Sequence, residues 1–254
     1  MDTSYWNKAT LYCYVNNLRQ QLLPCSSAYT IDSKALAKRW IKNLFLEELS
    51  FPSNKICGIL YKGERSTSIA LNATRSPEMQ NFDCMHELVH YYLHDIKRCQ
   101  CICADNAGKT GVSQDKILEW QANEGAAQFL IPYHDFIPKL SHLIDFPPHL
   151  DFWYSGYLAE YYNVSIPVIE CRIDNLSYEI DQYRSGVSID KIRVLSKTQQ
   201  ARQGIKATCY NAVCAFAATS YVSELNITRS QNPLDIAFFK TYSAENPEVN
   251  LAFF

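Results

Sequence analysis

Met85-His86-Glu87-Leu88-Val89-His90-Tyr91-Tyr92-Leu93-His94-Asp95 is the stretch from which the rest of the chain is read. Inside it, His86-Glu87-Leu88-Val89-His90 is an H-E-x-x-H pentapeptide. No Gly or Pro interrupts the chain from Glu78 to Lys97, so the stretch predicts a helix. Four helical residues turn through about 400°, which leaves His86 and His90 about 40° apart on one face, one turn apart. Two imidazoles placed that way reach one Zn²⁺ with bonds of about 2.0–2.1 Å. Glu87 lies about 100° round from His86. At the edge of that face it takes a proton from a water polarised by the metal instead of binding the metal. Three fixed letters in five also arise by chance on amphipathic helices, and the helix-forming flanks weigh against that.

Zinc used for hydrolysis takes three protein ligands and keeps one position open. Glu119, 29 residues past His90 and on the next long helical run, is the best candidate for the third. A carboxylate in an otherwise apolar helix needs a partner; the competing reading is an exposed acid favoured at a helix start. Asn123, one turn beyond Glu119, can hold a ligand imidazole by its second nitrogen. His94 shares the helix of His86 and His90, but it stands about 80° from His86 with its Cα about 12 Å along the axis. No Gly bends the chain there as in the H-E-x-x-H-x-x-G-x-x-H pattern. His94 is therefore expected just outside the metal's ligands.

Composition bounds the remaining possibilities. A net charge of −2 with mixed signs leaves no electrostatic footprint for nucleic acid. The polar start Met1-Asp2-Thr3-Ser4-Tyr5-Trp6 lacks the apolar core of a secretory signal. No run approaches 18 continuous apolar residues, so no membrane span is expected. The 10 cysteines are scattered and read as reduced thiols of a cytoplasmic chain. Cys99, Cys101 and Cys103 alternate closely but lack the C-x₂-C spacing of a second metal site.

Along the chain, Leu11, Val15, Leu18 and Leu22 form one stripe of a helix over Lys8–Leu22, ended by Pro24. Asp32 or Ser33 caps a helix expected to run to about Leu49. Two strands, Ile56–Tyr61 and Thr67–Leu71, flank a hairpin loop at 62–66. A polar surface loop is expected from Asp95 to about Ser113, and a helix from Asp115 to Leu130. Residues 133–150 read as a short helix and an irregular connection. Their His134, His142 and His149 are read as surface or hydrogen-bonded groups, not ligands. Leu150–Tyr162 and Ser165–Tyr183 read as a helix-turn-helix-like pair, whose acidic second helix suits packing and not a DNA groove. Ile189–Val194 reads as a strand, and Ala207–Val222 as a helix or buried strand.

Taken together, His86-Glu87-Leu88-Val89-His90-Tyr91-Tyr92-Leu93-His94 and the later Glu119-x-x-Ala122-Asn123-x-x-Ala126-Ala127-x-x-Leu130-Ile131-Pro132 resemble the ImmA/IrrE family of zinc metallopeptidases. The strand ending in Asn72 and the run Leu158–Ser165 are also similar to that family, and the resemblance covers about residues 30–180. Two positions depart from its pattern: Val89 stands where a small Gly is usual, and Gly125 where Phe is common. The resemblance implies an α+β fold. It would be a mostly helical zincin-like core with a small sheet beside the H-E-x-x-H helix, followed by a helical pair and a C-terminal extension. The expected segments are an N-terminal helix at 1–30, the core at 31–150, the helix pair at 151–185, and an extension of unassigned role at 186–254. It implies Zn²⁺ on His86, His90 and Glu119, with Glu87 as the base and Asn123 and His94 behind the ligands. It also implies cleavage of a helix-turn-helix repressor of a mobile element or stress response, without direct contact to nucleic acid or membrane. A zinc-stabilised binding module without catalysis predicts the same ligands; the two readings part on Glu87, which only hydrolysis needs.

Overall fold

The computed structural model describes residues 6–24, 30–52, 55–94, 100–104, 113–145 and 153–211. Helix α1 spans Lys8–Leu22, with the Asn7 side chain accepting from Thr10 N; Leu11, Val15, Leu18 and Leu22 are all buried, as their spacing predicts. Helix α2 is shorter than expected: capped by Asp32, it covers only Ser33–Trp40. Asn43 then takes a left-handed turn (φ 53°), and Leu44–Leu49 forms strand β1. The run Leu44-Phe45-Leu46-Glu47 fits helical and strand periods alike. Its pairing partner, β3 (Thr67–Asn72), decides for strand by accepting β1 in parallel register, Leu44 opposite Thr67.

Strand β2 (Ile56–Lys62) and β3 form the expected antiparallel hairpin, Lys62 opposite Thr67. The loop expected after Asp95 contains a strand instead: β4, Gln100–Ala104, pairs antiparallel with β2 and gives the order β1-β3-β2-β4. Cys101-Ile102-Cys103-Ala104 is a short apolar run in polar surroundings, which is too little to reveal a strand until β2 offers its free edge. Cys99 lies outside the described residues.

Helix α3 (Pro77–Leu93) packs across β2, β3 and β4. Ser76 caps it, Pro77 occupies its first turn and Glu78 complements its dipole. Its approach is fixed by Asn72, whose amide donates to Ile56 O at 2.8 Å and whose side-chain oxygen accepts from Thr74 N at 3.0 Å. Helix α4 (Ser113–Leu130) crosses α3 and α1. At that crossing the two departures from the family pattern meet. A Cβ on Gly125 would lie 3.0 Å from Val89 Cγ1 and 3.4 Å from Val15 Cγ2. Val89 on α3 occupies the space beside residue 125, and Gly125 lets the backbones keep their approach.

Helix α5 (Tyr133–Ile144) is followed by α6 (Trp153–Tyr162), α7 (Ile166–Asn175) and α8 (Ser177–Arg184). The single helix expected over Ser165–Tyr183 is thus broken at Leu176, a bend that lets Ile173, Leu176 and Ile180 all enter the core. Residues 189–194 are not a strand. A 3₁₀ turn at Ile189–Lys191 precedes extended chain whose amides are held by side chains: Arg193 N donates to Gln182 Oε1 and Leu195 N to Glu179 Oε1. Those bonds replace a ladder. Helix α9 (Lys197–Arg202) opens with a Ser196/Gln199 capping box. Of the expected element over Ala207–Val222, Tyr210 and Asn211 are helical and residues from 212 onward lie outside the described set. No helix of the described residues is long and apolar enough to cross a membrane.

A buried polar cluster joins these helices. Arg172 on α7, 1% exposed, donates to Glu124 Oε1 (2.9 Å), Tyr12 Oη (2.7 Å), Gln128 Oε1 (2.5 Å) and Ile131 O (2.9 Å). Lys8 on α1 pairs with Glu179 on α8 at 3.0 Å. Buried charges so far from water persist only when paired and hydrogen-bonded. This cluster therefore fixes α1, α4, α7 and α8 relative to one another.

Candidate metal centre

His86, Glu87 and His90 lie on the buried length of α3, and Glu119 reaches them from α4. His86 Nε2 is 3.0 Å from His90 Nε2, and the two Glu119 oxygens stand 3.3 Å from one imidazole each. One donor atom from each of the three residues lies within 4.8 Å of the others, the one such group among the described residues. Tetrahedral bonds of about 2.0–2.1 Å to zinc would separate neighbouring donors by about 3.3–3.4 Å, so the spacing fits a single ion. The chemistry of the donors fits too. His86 Nδ1 stands 3.0 Å from Asn123 Oδ1. An amide oxygen only accepts, so His86 donates there through Nδ1, and Nε2 is the ring nitrogen that faces Glu119. Two imidazole nitrogens and a carboxylate converging in a buried site are a donor set suited to a divalent cation.

Glu87 is wholly buried, and neither of its oxygens has a hydrogen-bond partner among the described residues. Burial pushes its carboxyl up to about 8, against the pull of His86. It packs against Gly58 of β2, where an added Cβ would stand 2.9 Å from Glu87 Oε1. The β2 register shifts at Ile56/Gly58, an irregularity that accompanies the close approach. At Glu119, burial acts to raise the carboxyl, but hydrogen bonds from His86 and His90 outweigh it and hold the group at about 2.

His94 is the C-cap of α3 and stands behind His90, on the side away from Glu119's contacts: His94 Nδ1 is 2.9 Å from His90 Nδ1, and His94 Nε2 is 3.1 Å from Gln121 Oε1. Burial pushes His94 down to about 3. Tyr91 and Tyr92 pack edge to face against one another, and Lys62 Nζ lies over the Tyr91 ring. A cleft of about 930 Å³ opens beside His86 and Asn123 between α3, α4 and α7, with Met79, Phe82, Trp120 and Val168 among its walls.

Gly58 and Gln121 escape a reading of the sequence. A Gly inside a strand does signal a close approach, but the group that approaches is 29 residues away in the chain. Gln121 carries no local signal, because a Gln on a helix reads as surface.

No curated protein matches the sequence. The model of one protein family, described as the IrrE N-terminal-like domain of the M78 peptidases, matches residues 43–174. The matched span begins just ahead of β1 and ends in α7, and so takes in the whole sheet, α3 and α4. With just over half of its residues inside that match, and with the histidine helix and its sheet in place, the chain belongs to the IrrE N-terminal-like family of metallopeptidase domains.

Proposed function

We propose that this protein is a zinc-dependent endopeptidase that cleaves a helix-turn-helix transcriptional repressor of a mobile element or stress response. The observation that carries the catalytic reading is Glu87: a wholly buried carboxyl group, one residue from His86, with neither oxygen partnered among the described residues. A binding module stabilised by metal gains nothing from such a group, whose burial costs stability. His86, His90 and Glu119 would hold the ion through two imidazole nitrogens and a carboxylate, leaving one position for water or substrate. Zinc there supplies Lewis acidity, which lowers the pKa of a water toward about 7 and polarises the scissile carbonyl.

Glu87 takes the proton of the attacking water and passes it to the leaving amine. Gly58 gives its carboxylate room, and Asn123 keeps His86 oriented. The apolar-walled cleft beside His86 offers space for the residues flanking the bond to be cut. The repressor as substrate and the cytoplasm as location follow the resemblance to ImmA- and IrrE-type proteins; the unbridged thiol of buried Cys84 agrees with a reducing compartment.

The test combines zinc content with cleavage. Glu87→Gln is expected to retain one zinc per chain and the fold, and to lose cleavage of a co-expressed repressor encoded beside the gene. Cleavage by Glu87→Gln at the parent rate would show that this mechanism is wrong, and a zinc-bound parent that cleaves nothing would favour the binding module.

A further inference from the structure

Native sheets blunt their open edges with lysine, proline, a bulge or a covering segment, because a bare edge is a template for another extended chain. Strand β1 has none of these among the described residues. Leu44–Leu49 holds no Lys, Pro or Gly, keeps an unbroken register with β3, and ends the order β1-β3-β2-β4. We propose that this edge is a docking site for an extended segment of a partner protein, added antiparallel to β1. The segment carries a basic residue opposite Glu47 and an apolar residue two positions away on each side. Strand β3 stands between this edge and β2, the strand beside Glu87, and the proposal does not depend on the reading of the metal centre.

Strand alternation decides which backbone groups are offered. Asn43 O and Leu49 O accept from Thr67 N and Ala73 N, so Asn43, Phe45, Glu47 and Leu49 turn their peptide groups toward β3. Leu44, Leu46 and Glu48 turn theirs outward, each offering an N–H and a C=O along the open edge. The side chains divide between the two faces of the sheet. Leu44 and Leu46 pack against the core, and Glu48 on that face is held by Lys34 of α2 at 2.7 Å. The other face carries Phe45, 58% exposed, then exposed Glu47, then Leu49, 44% exposed, and it continues past Ser68 to exposed Tyr61. Glu47 has no ion-pair partner among the described residues. A strand with apolar, basic and apolar residues at alternate positions would cover both exposed side chains and pair the carboxylate. A second copy of β1 fits poorly. Residues facing one another in an antiparallel pair share a face of the sheet. The register centred on Glu47 sets that carboxylate against its own copy, and like charges directly opposite are destabilising. The register centred on Leu46 sets Phe45 against Glu47 and Leu44 against Glu48. Charge therefore selects a basic partner over self-association.

The probe is a short fluorescent peptide in which threonines alternate with Val, Lys and Val. It is compared with a copy carrying Glu in place of Lys, and with a copy N-methylated at the threonines, which would face Leu44, Leu46 and Glu48. Binding to the full chain is read by anisotropy, with a chelator present so that no cleavage intervenes, and is located by amide hydrogen exchange in NMR spectra. The lysine peptide should bind and protect the amides of Leu44, Leu46 and Glu48. The glutamate peptide should bind several-fold to about 30-fold more weakly, the span expected when an opposite-charge pair becomes a like-charge pair. The N-methylated peptide should not bind. Glu47→Lys, a change at an exposed side chain, should reverse the preference between the two charged peptides. No binding by the lysine peptide, protection elsewhere in the chain, binding that survives N-methylation, or an unchanged preference in Glu47→Lys would each overturn the proposal. So would edge amides already protected in the free chain, whether by other residues of a monomer or by a second copy in a dimer, which sedimentation tells apart.

Discussion

Glu119 faces both His86 and His90, whereas His94 touches His90 alone, from the other side of its ring. Glu119 places an oxygen 3.3 Å from each Nε2, where a metal would lie, whereas His94 meets only His90 Nδ1, the far side of that ring. On the proposed reading, removing Glu119 would delete one of the three donors and the anionic one among them. Removing His94 leaves all three donors and loosens one. Glu119→Ala is therefore expected to weaken zinc binding well beyond the roughly 10–100-fold expected of His94→Ala, as measured by chelator competition. The reverse order of affinities would reject the assignment of Glu119. Gly58 makes a separate residue-scale prediction. A methyl group 2.9 Å from Glu87 Oε1 forces that carboxylate aside while leaving the ligands untouched. Gly58→Ala should keep bound zinc and lower repressor cleavage about 100-fold, the order expected for a catalytic group displaced by about 1 Å. Full cleavage by this variant would show that Glu87 needs no fixed place.

Between elements, Val89 and Gly125 meet at the crossing of α3 and α4. Val89 is wholly buried, and its two methyl carbons stand 3.0 and 3.4 Å from where a Cβ of residue 125 would be. Gly125→Phe alone should overpack the crossing and cost about 1–3 kcal/mol or more. Val89→Gly alone should also destabilise, through a cavity and a mid-helix Gly. The double variant restores the pattern of the family, and a double-mutant cycle in urea should show favourable coupling of about 0.5–3 kcal/mol. Additive losses would mean that the two departures are unrelated.

At the scale of the whole molecule, Arg172 ties the helices beyond the sheet to the helix that bears Glu119. Its guanidinium bonds Glu124, Gln128 and the Ile131 carbonyl on or just past α4, and Tyr12 on α1. Arg172 lies inside the core, 1% exposed, and presents no charge to a nucleic acid. Arg172→Met should cost about 3–5 kcal/mol, because it leaves the Glu124 carboxylate buried without its cation. Changing Glu124→Gln in the same chain should recover part of that loss by removing the unpaired charge. Equilibrium denaturation measures both, and a single-variant cost below about 1 kcal/mol would mean the cluster is not holding α7 to α4.

What the sequence determined by itself was whatever a single helix or turn can encode. The 3.6-residue period fixes α1, and the four-residue spacing of His86 and His90 fixes their shared face. The apolar runs either side of 62–66 fix the hairpin, and Glu119 stands out as a carboxylate within an apolar helix. Tertiary structure decided everything that depended on a partner far along the chain. Leu44–Leu49 fits either period, and only the edge of β3 made it a strand. Gln100–Ala104 is too short to declare itself without β2, and the chain at 189–195 stays out of a sheet because Gln182 and Glu179 satisfy its amides. Gly58 beside Glu87, and Gln121 behind His94, have no local signature at all. Their roles depend on which atom faces which across two elements, and a linear pattern of residue types carries no information about that.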